Sequence, residues 1–462
     1  MENNQKKKML LILIAVIGLL LSLAIYLAFF QMFKSSFYAG HELNARNSKD
    51  ESEVLRGSIL DRNGKVLTYT VRDGEGKSQR INNFDRLYTP VIGYKSSRYG
   101  KSGLESKYNK ELLNVASNED FLDKLKETYK KKKKGKDVVL TIDHDLQSYV
   151  YDALGDKKGA AIVIDPKTGE ILAMVSKPTF NVNKVDQNWE ALINDKNGIM
   201  INRATQGLYP PGSIFKIISS IAILEGDIDQ AYEDKGSNTI DGFKINNFNN
   251  KAYGDLNLET ALIHSSNAYF SEKSKLISTE KYLDITKRMH IGSSINFDLG
   301  TNVSKMVYNS KISTLEKAVA AFGQGDNLVT PLDMAMMISS IANDGVLMKP
   351  HLVAEVQEEN ITIDKKPENL GRVTSVEVAK QLGQYLRSTA KYNGYTIANY
   401  AIAGKTGTAE NTSGPAHSWY VGYGPIEDPR YAVVVLLENN GTKKPNAGSK
   451  YVQIMNYLLN YR

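Results

Sequence analysis

The chemically suggestive positions of this chain are serines and lysines at short, fixed spacings. S-x-x-K occurs at Ser213–Lys216, Ser278–Lys281 and Ser388–Lys391, S-x-N at Ser265–Asn267 and Ser294–Asn296, and K-T-G at Lys167–Gly169 and Lys405–Gly407. A serine one helical turn before a lysine can attack an acyl carbon while the neutral amine takes its proton. The amine does so only where desolvation or neighbouring cations lower its pKa. A second hydroxyl can then relay a proton to the leaving group, while an amide and another lysine hold the substrate. Short motifs recur by chance, so context must choose among the copies.

Lys167-Thr168-Gly169 falls in a turn and precedes every S-x-x-K. Ser388 lies in a polar helical stretch with no S-x-N after it, and Ser278 opens Ser278-Thr279-Glu280-Lys281 as a helix cap would. Ser213 differs: it follows Pro210-Pro211-Gly212 and opens an apolar helix, which puts its hydroxyl at the positive end of the helix dipole. Lys216 then sits beside a buried face, which favours a lowered pKa. Ser265-Ser266-Asn267 begins 52 residues later, and Lys405-Thr406-Gly407-Thr408 follows the strand-like run Tyr400 to Gly404. Gly404 and Gly407 allow close approach of another backbone. Asn267 and Thr406 have a plainer reading as partners of backbone groups. His417 reads as structural, because a lysine-driven mechanism leaves histidine no required role. Trp419 reads as core.

These residues need a rigid frame, and the composition allows one. The 462 residues are 42% hydrophobic and 24% charged, enough apolar material for a sizeable core in two to four units. With no cysteine, disulfides, thiolate metal sites and a cysteine nucleophile are excluded; six histidines without an H-x-x-x-H pair argue against a zinc hydrolase. Neither a metal nor a cofactor is expected. The net charge of +7 equals that of one block, Lys124 to Lys136, where eight lysines face Glu127. A nucleic-acid surface would spread its basic residues over a folded face, so none is expected. The block reads as a solvated loop, with contact to anionic lipid or an acidic wall polymer as the sharper alternative.

Met9 to Phe33 runs 25 residues without a charge. As a helix this is about 37 Å, enough to cross a hydrocarbon core of about 30 Å. The run is too long for a signal-peptide core and lacks a small-x-small exit, so an uncleaved anchor is expected. Lys6-Lys7-Lys8 should keep the N-terminus cytoplasmic and place the rest outside.

Beyond the anchor, Ser58-Ile59-Leu60 and Lys65-Val66-Leu67 flank Asp61-Arg62-Asn63-Gly64, a hairpin signal. The stretch from there to about Tyr129 reads as a small irregular module. Regular structure resumes at Val138. Hairpins are expected over Gly159 to Lys177 and between Trp419–Gly424 and Tyr431–Leu437. Helices are expected from Ser213 to Leu224, Leu258 to Ser274, Leu332 to Ala342, Val376 to Tyr392 and Lys450 to Leu459. Strands at both ends with helices between predict an α+β domain on an antiparallel sheet. The expected division is a cytoplasmic tail (1–8), an anchor (9–33), a pedestal or dimerisation-like module with a Lys-rich linker (34–136) and a catalytic domain (137–462).

At these motifs the chain resembles the class B penicillin-binding proteins, membrane-anchored D,D-transpeptidases of bacterial wall synthesis. Further likeness lies in Arg56 to Gly64, Asp165 to Val175, Asn202-Arg203-Ala204, Gly323-Gln324-Gly325, Thr330-Pro331 and His417-Ser418-Trp419. Ile214 departs from the threonine many relatives carry there, at a position without acid–base duty. The resemblance implies the penicillin-binding, β-lactamase-like fold. It also implies an acyl-ester of Ser213 with the penultimate D-alanine of a stem peptide, with release of terminal D-alanine. In that scheme Lys216 deprotonates Ser213, Ser265 passes a proton on, and Asn267 orients Lys216 and the substrate amide. Lys405 and Thr406 hold the terminal carboxylate, Gly407 lies in the substrate-binding strand, and the N–H groups of Ser213 and Thr408 form the oxyanion hole. An amine of a neighbouring stem peptide then closes the crosslink, with hydrolysis as a carboxypeptidase side activity. β-Lactams would acylate Ser213. A polytopic SEDS-family glycan polymerase is the implied protein partner. Two rivals remain: a β-lactamase or β-lactam sensor, and a structural wall-complex member with an idle site.

Overall fold

Two sheets carry the fold, and each is built from distant parts of the chain. The computed structural model describes residues 2–33, 55–74, 78–114, 134–358, 361–411 and 414–462. Most of the Lys124–Lys136 block lies outside the described residues. Its last members do not behave as free charges: Lys134 pairs with Asp137 at 2.9 Å and Lys136 with Glu358 at 2.8 Å.

The N-terminal helix runs Glu2–Phe33, and its stretch Lys6–Leu27 is long and apolar enough to cross a membrane.

The expected first hairpin forms, pairing Ile59–Leu60 with Val66–Arg72. The module around it is more regular than the sequence suggests. Its six-stranded sheet runs, in spatial order, Ile361–Asp364, Val353–Glu358, Asp137–Leu140, Ile59–Leu60, Val66–Arg72 and Ser78–Asn82. Three of these strands come from within 137–462, so a division at residue 136 would separate hydrogen-bonded strands of one sheet. Gly57 and Gly135 permit this junction: a Cβ on Gly57 would lie 1.9 Å from the Lys136 carbonyl oxygen, and one on Gly135 1.8 Å from that of Leu112. The module's polar core is Glu105, bound by Arg56 at 2.6 Å and Arg80 at 2.7 Å. Burial would raise this carboxyl, but the two guanidiniums outweigh it and hold it at about 2. Tyr108 of the module donates to Asp298 at 2.5 Å, and Asp298 also accepts from the backbone N–H of Leu352 at 2.8 Å. This clamp ties Tyr108 to the start of the strand Val353–Glu358 in the same sheet.

The second sheet is five-stranded and antiparallel throughout, in the order Ala403–Asn411, Gly414–Gly424, Tyr431–Leu437, Gly159–Ile164, Ile171–Lys177. Both expected hairpins are present. Gly159–Ile164 is a continuous apolar run because both its faces are covered. Ala160, Ile162 and Ile164 join the large core with Val434, Leu436 and the helix Pro331–Ala342. Ala161 and Val163 face the other way, into a layer with Val433, Val435 and the helices His144–Leu154 and Ala447–Tyr461. Pro331–Ala342 is buried along its whole length, as an all-round apolar helix must be. The closing helix begins and ends slightly outside the expected Lys450 to Leu459.

Two helical expectations change at the places that matter most. Ser213 lies in a 3₁₀ turn, Gly212–Phe215, and the α-helix starts only at Lys216, running to Glu225. The stretch Leu258 to Ser274 is not one helix but two, Leu258–His264 and Asn267–Ser274. Ser265 breaks it with a left-handed backbone (φ 55°), and the Ser266 side chain caps the second helix, accepting from the Tyr269 N–H. Serine hydroxyls compete with helical hydrogen bonds in this way.

Candidate active site

Gly212 admits the nucleophile turn to the sheet edge. It has φ +56°, and a Cβ there would meet the Thr408 carbonyl oxygen at 2.6 Å. From the other side, the Gly212 N–H donates to the Gly323 carbonyl at 2.8 Å. The indole N–H of Trp419 donates to the Pro210 carbonyl at 3.0 Å, so this buried residue is core and also pins the approach to Ser213. Tyr209 donates to Glu438 at 2.5 Å, and Arg203 binds the same carboxylate oxygen at 2.8 Å. Ser213 is thereby held from four segments distant in sequence.

Lys216 Nζ lies 3.1 Å from Ser213 Oγ, 3.1 Å from Ser265 Oγ, 2.7 Å from the Ser265 carbonyl and 2.8 Å from Asn267 Oδ1. Lys405 Nζ reaches Ser265 Oγ at 3.1 Å and the Thr406 carbonyl at 3.2 Å. Both amine-bearing side chains are almost fully buried, and the rings of Phe270 and Phe322 stand within 6 Å of Lys216 Nζ. Burial, and then the charge of Lys405, push Lys216 well below the ordinary lysine value. Burial alone pushes Lys405 down to about 7. Among the described residues no carboxylate pairs with either amine, so nothing restores the charge of Lys216.

The break at Ser265 is what makes this cluster possible. A continuous helix would spend the Ser265 carbonyl on its own ladder; the left-handed residue turns both its oxygens toward the two lysines. Asn267 faces the same way through Oδ1 and donates its amide nitrogen to the Asn246 carbonyl at 3.0 Å.

Lys405, Thr406, Gly407 and Thr408 lie on the edge strand of the five-stranded sheet, opposite Val421, Tyr420, Trp419 and Ser418. The Thr408 carbonyl lies against Gly212, so the polar backbone groups of Thr408 face the nucleophile turn and not the neighbouring strand. Gly407 keeps the gap narrow, since a Cβ there would press on Ile214 and Trp419 at 3.0 Å.

All eight sequence-selected residues thus gather in one place: Ser213, Lys216, Ser265, Asn267 and Lys405 in one chain of contacts, and Thr406, Gly407 and Thr408 on the strand beside it. The discarded motifs do not: Ser278 caps the helix Thr279–Arg288, Ser388 lies within Val376–Tyr392, and Lys167 pairs with Asp428 at 2.5 Å. His417 accepts from the Asn439 N–H at 3.1 Å, and burial lowers its pKa, in keeping with a structural role. Motif reading missed Tyr209, Glu438, Ser266 and the buried Asp234 that Ser266 touches. Only Ser266 carried a signal, as the middle residue of its motif.

Residues 159–460 match the family described as penicillin binding protein transpeptidase domain, and residues 56–138 that described as penicillin binding protein A dimerisation domain. The chain is 29% identical over 448 residues to the peptidoglycan D,D-transpeptidase PbpA of Mycolicibacterium smegmatis, covering 90% of this chain and 91% of that one. It is 27% identical to PbpA of Mycobacterium tuberculosis, covering 94% of each. Among solved structures, the D,D-transpeptidase domain of a peptidoglycan glycosyltransferase from Eggerthella lenta superposes with TM-score 0.80 at 31% identity, covering 88% of this chain and 98% of that one. The imipenem acyl-enzyme complex of penicillin-binding protein A from M. tuberculosis gives 0.81 at 26% identity, covering 89% and 100%.

Proposed function

The chain belongs to the penicillin-binding protein transpeptidase family, and from that premise we propose that it crosslinks peptidoglycan through an acyl-ester on Ser213. It is a class B D,D-transpeptidase and a target of β-lactams. The observation that carries the assignment of Ser213 is the amine 3.1 Å from its hydroxyl, buried and, among the described residues, without an acidic partner.

Ser213 Oγ attacks the carbonyl carbon of the penultimate D-alanine while Lys216, neutral, takes the hydroxyl proton. The oxygen that becomes negative is met by the N–H groups of Ser213 and Thr408, the latter on the face of its strand that looks toward the turn. Ser265, within reach of both lysines, returns a proton to the leaving amine as terminal D-alanine departs. Asn267 fixes Lys216 and the substrate amide. Lys405 and Thr406 receive the terminal carboxylate, whose charge favours the protonated form of Lys405. The amine of a second stem peptide then attacks the ester, forming the crosslink and freeing Ser213; water in its place gives carboxypeptidase activity.

The helix Lys6–Leu27 supports a single-pass anchor in a bacterial cell membrane, with Lys6 to Lys8 on the cytoplasmic side and the catalytic domain outside. The module at 56–138 and the anchor suit docking of a polytopic SEDS-family glycan polymerase.

The test is incubation of the full chain with a stem peptide ending in D-Ala-D-Ala and a second peptide bearing the acceptor amine. The expected product is the crosslinked pair lacking one D-alanine, absent with Ser213→Ala. Product formation that survives Ser213→Ala would overturn the assignment, and a shortened uncrosslinked peptide alone would make the chain a carboxypeptidase.

A further inference from the structure

Asp234 is almost fully buried, ends the short strand Tyr232–Asp234, and touches none of the residues to which the reaction is assigned. Its carboxylate nevertheless accepts from three donors. Oδ2 accepts from Ser266 Oγ at 2.6 Å, both oxygens accept from Asn247 Nδ2 at 2.9 and 2.8 Å, and Oδ1 accepts from the Gly236 N–H at 2.7 Å. Ser266 in turn accepts from the Tyr269 N–H at 2.9 Å, and Asn247 Oδ1 accepts from the Ala268 N–H at 3.0 Å. Two of the unpaired N–H groups that open the helix Asn267–Ser274 are therefore satisfied by side chains that Asp234 holds in place. A negative charge beneath that helix start is also favoured by the dipole.

The residue this arrangement constrains is Ser265. Its left-handed backbone is a conformation that serine seldom adopts and that persists only when its surroundings enforce it. Released, the turn would carry away three of the four atoms around Lys216 Nζ: the Ser265 carbonyl, Ser265 Oγ and Asn267 Oδ1. Lys405 would lose Ser265 Oγ as well.

We propose that Asp234 is a positioning residue for acylation, acting through Ser266 and Asn247 to hold Ser265 and Asn267 against Lys216. The claim rests on the assignment of Ser213 as the acylated serine. It separates Asp234 from an ordinary buried polar group, because its loss should slow the chemical step more than it weakens ligand binding or the fold.

The test uses the full chain in detergent and a fluorescent penicillin, with the acylation rate resolved into a binding constant K and a first-order step k2. Asp234→Asn turns an acceptor into a donor among three donors, and Ser266→Ala deletes the link. Each should lower k2 by about 100-fold, the order of loss that a 1 Å misplacement causes, with K changed by no more than about threefold. The double variant should be no slower than the worse single one, since both break one chain of contacts. Glu105→Gln, which disrupts a buried ion pair in the module, supplies the control: it should lower the melting temperature and leave k2 unchanged. A parental k2 in Asp234→Asn would overturn the proposal, as would a k2 that follows melting temperature across all variants. Failure of the parental chain to acylate at Ser213 would instead overturn the reading of the site, and this inference with it.

Discussion

Lys405→Met should make the protein more stable at neutral pH and less stable at high pH. Lys405 is 1% exposed and its pKa falls from 10.5 to about 7 on folding. At about 1.4 kcal/mol per unit, holding it there costs on the order of 4 kcal/mol at pH 7. A lysine with a depressed folded pKa binds fewer protons in the folded state, so stability rises with pH between about 7 and 10.5. Methionine fills a similar volume and removes that cost. It also removes the contacts to Ser265 Oγ and the Thr406 carbonyl, worth about 1 kcal/mol each. The net is a gain of about 2 kcal/mol at pH 7, or roughly 4 °C in melting temperature for a domain of this size. At pH 10.5 the burial cost has almost vanished and the lost contacts remain, so the variant should be the less stable by about 2 kcal/mol, with a crossing near pH 9. Thermal melts of the full chain in detergent, at steps between pH 7 and 10.5, measure the difference. A variant that melts below the parent at pH 7, or a difference that does not change with pH, would refute the account of buried, unpaired amines.

The same two amines should shape the pH dependence of acylation. The second-order rate with a β-lactam should fall in acid as Lys216 gains its proton, and fall in alkali from about pH 7 upward as Lys405 loses its own. An alkaline limb at the ordinary lysine value would contradict this. Gly323→Ala would place a Cβ 2.0 Å from the Gly212 carbonyl oxygen at φ +82°. It should slow acylation about 100-fold, by displacing the nucleophile turn. Gly325→Ala, with φ +75° and nothing nearer than Val319 at 3.5 Å, should cost about 1 kcal/mol of stability and leave the rate alone. Glu105→Gln leaves two buried guanidiniums short of their counter-charge and should cost about 3–5 kcal/mol by denaturant titration at pH 7. In the parent, that ion pair's contribution is complete above the ordinary glutamate pKa of 4.5 and is lost as pH falls toward about 2.

The catalytic cluster was legible because its chemistry demands particular residue types, and the order and setting of three short motifs separated Ser213, Ser265 and Lys405 from their decoys. The antiparallel sheet was legible from the continuous apolar runs at 159–177 and 431–437, which the two covering layers require. What failed to show was long-range pairing. Nothing in the local pattern at Val353 to Asp364 says that those strands complete the sheet begun at Ile59, so the module reads as irregular until they are in place. The break at Ser265 was hidden for a related reason. Apolar spacing continues through it, and the competing interaction comes from Asp234 and Asn247, residues 31 and 18 positions earlier. Asp234 itself stands in Tyr232-Glu233-Asp234-Lys235, a run that reads as surface, and only the fold makes it a buried anion.

The most direct test of the central claim is the mass of the peptide that carries the acyl group. The full chain, treated with a penicillin and digested, should yield a stable adduct on the Ser213 peptide, stoichiometric in the parent and absent in Ser213→Ala that retains the parental melting temperature. An adduct on another serine, or rapid hydrolysis of the drug with no lasting adduct, would contradict it.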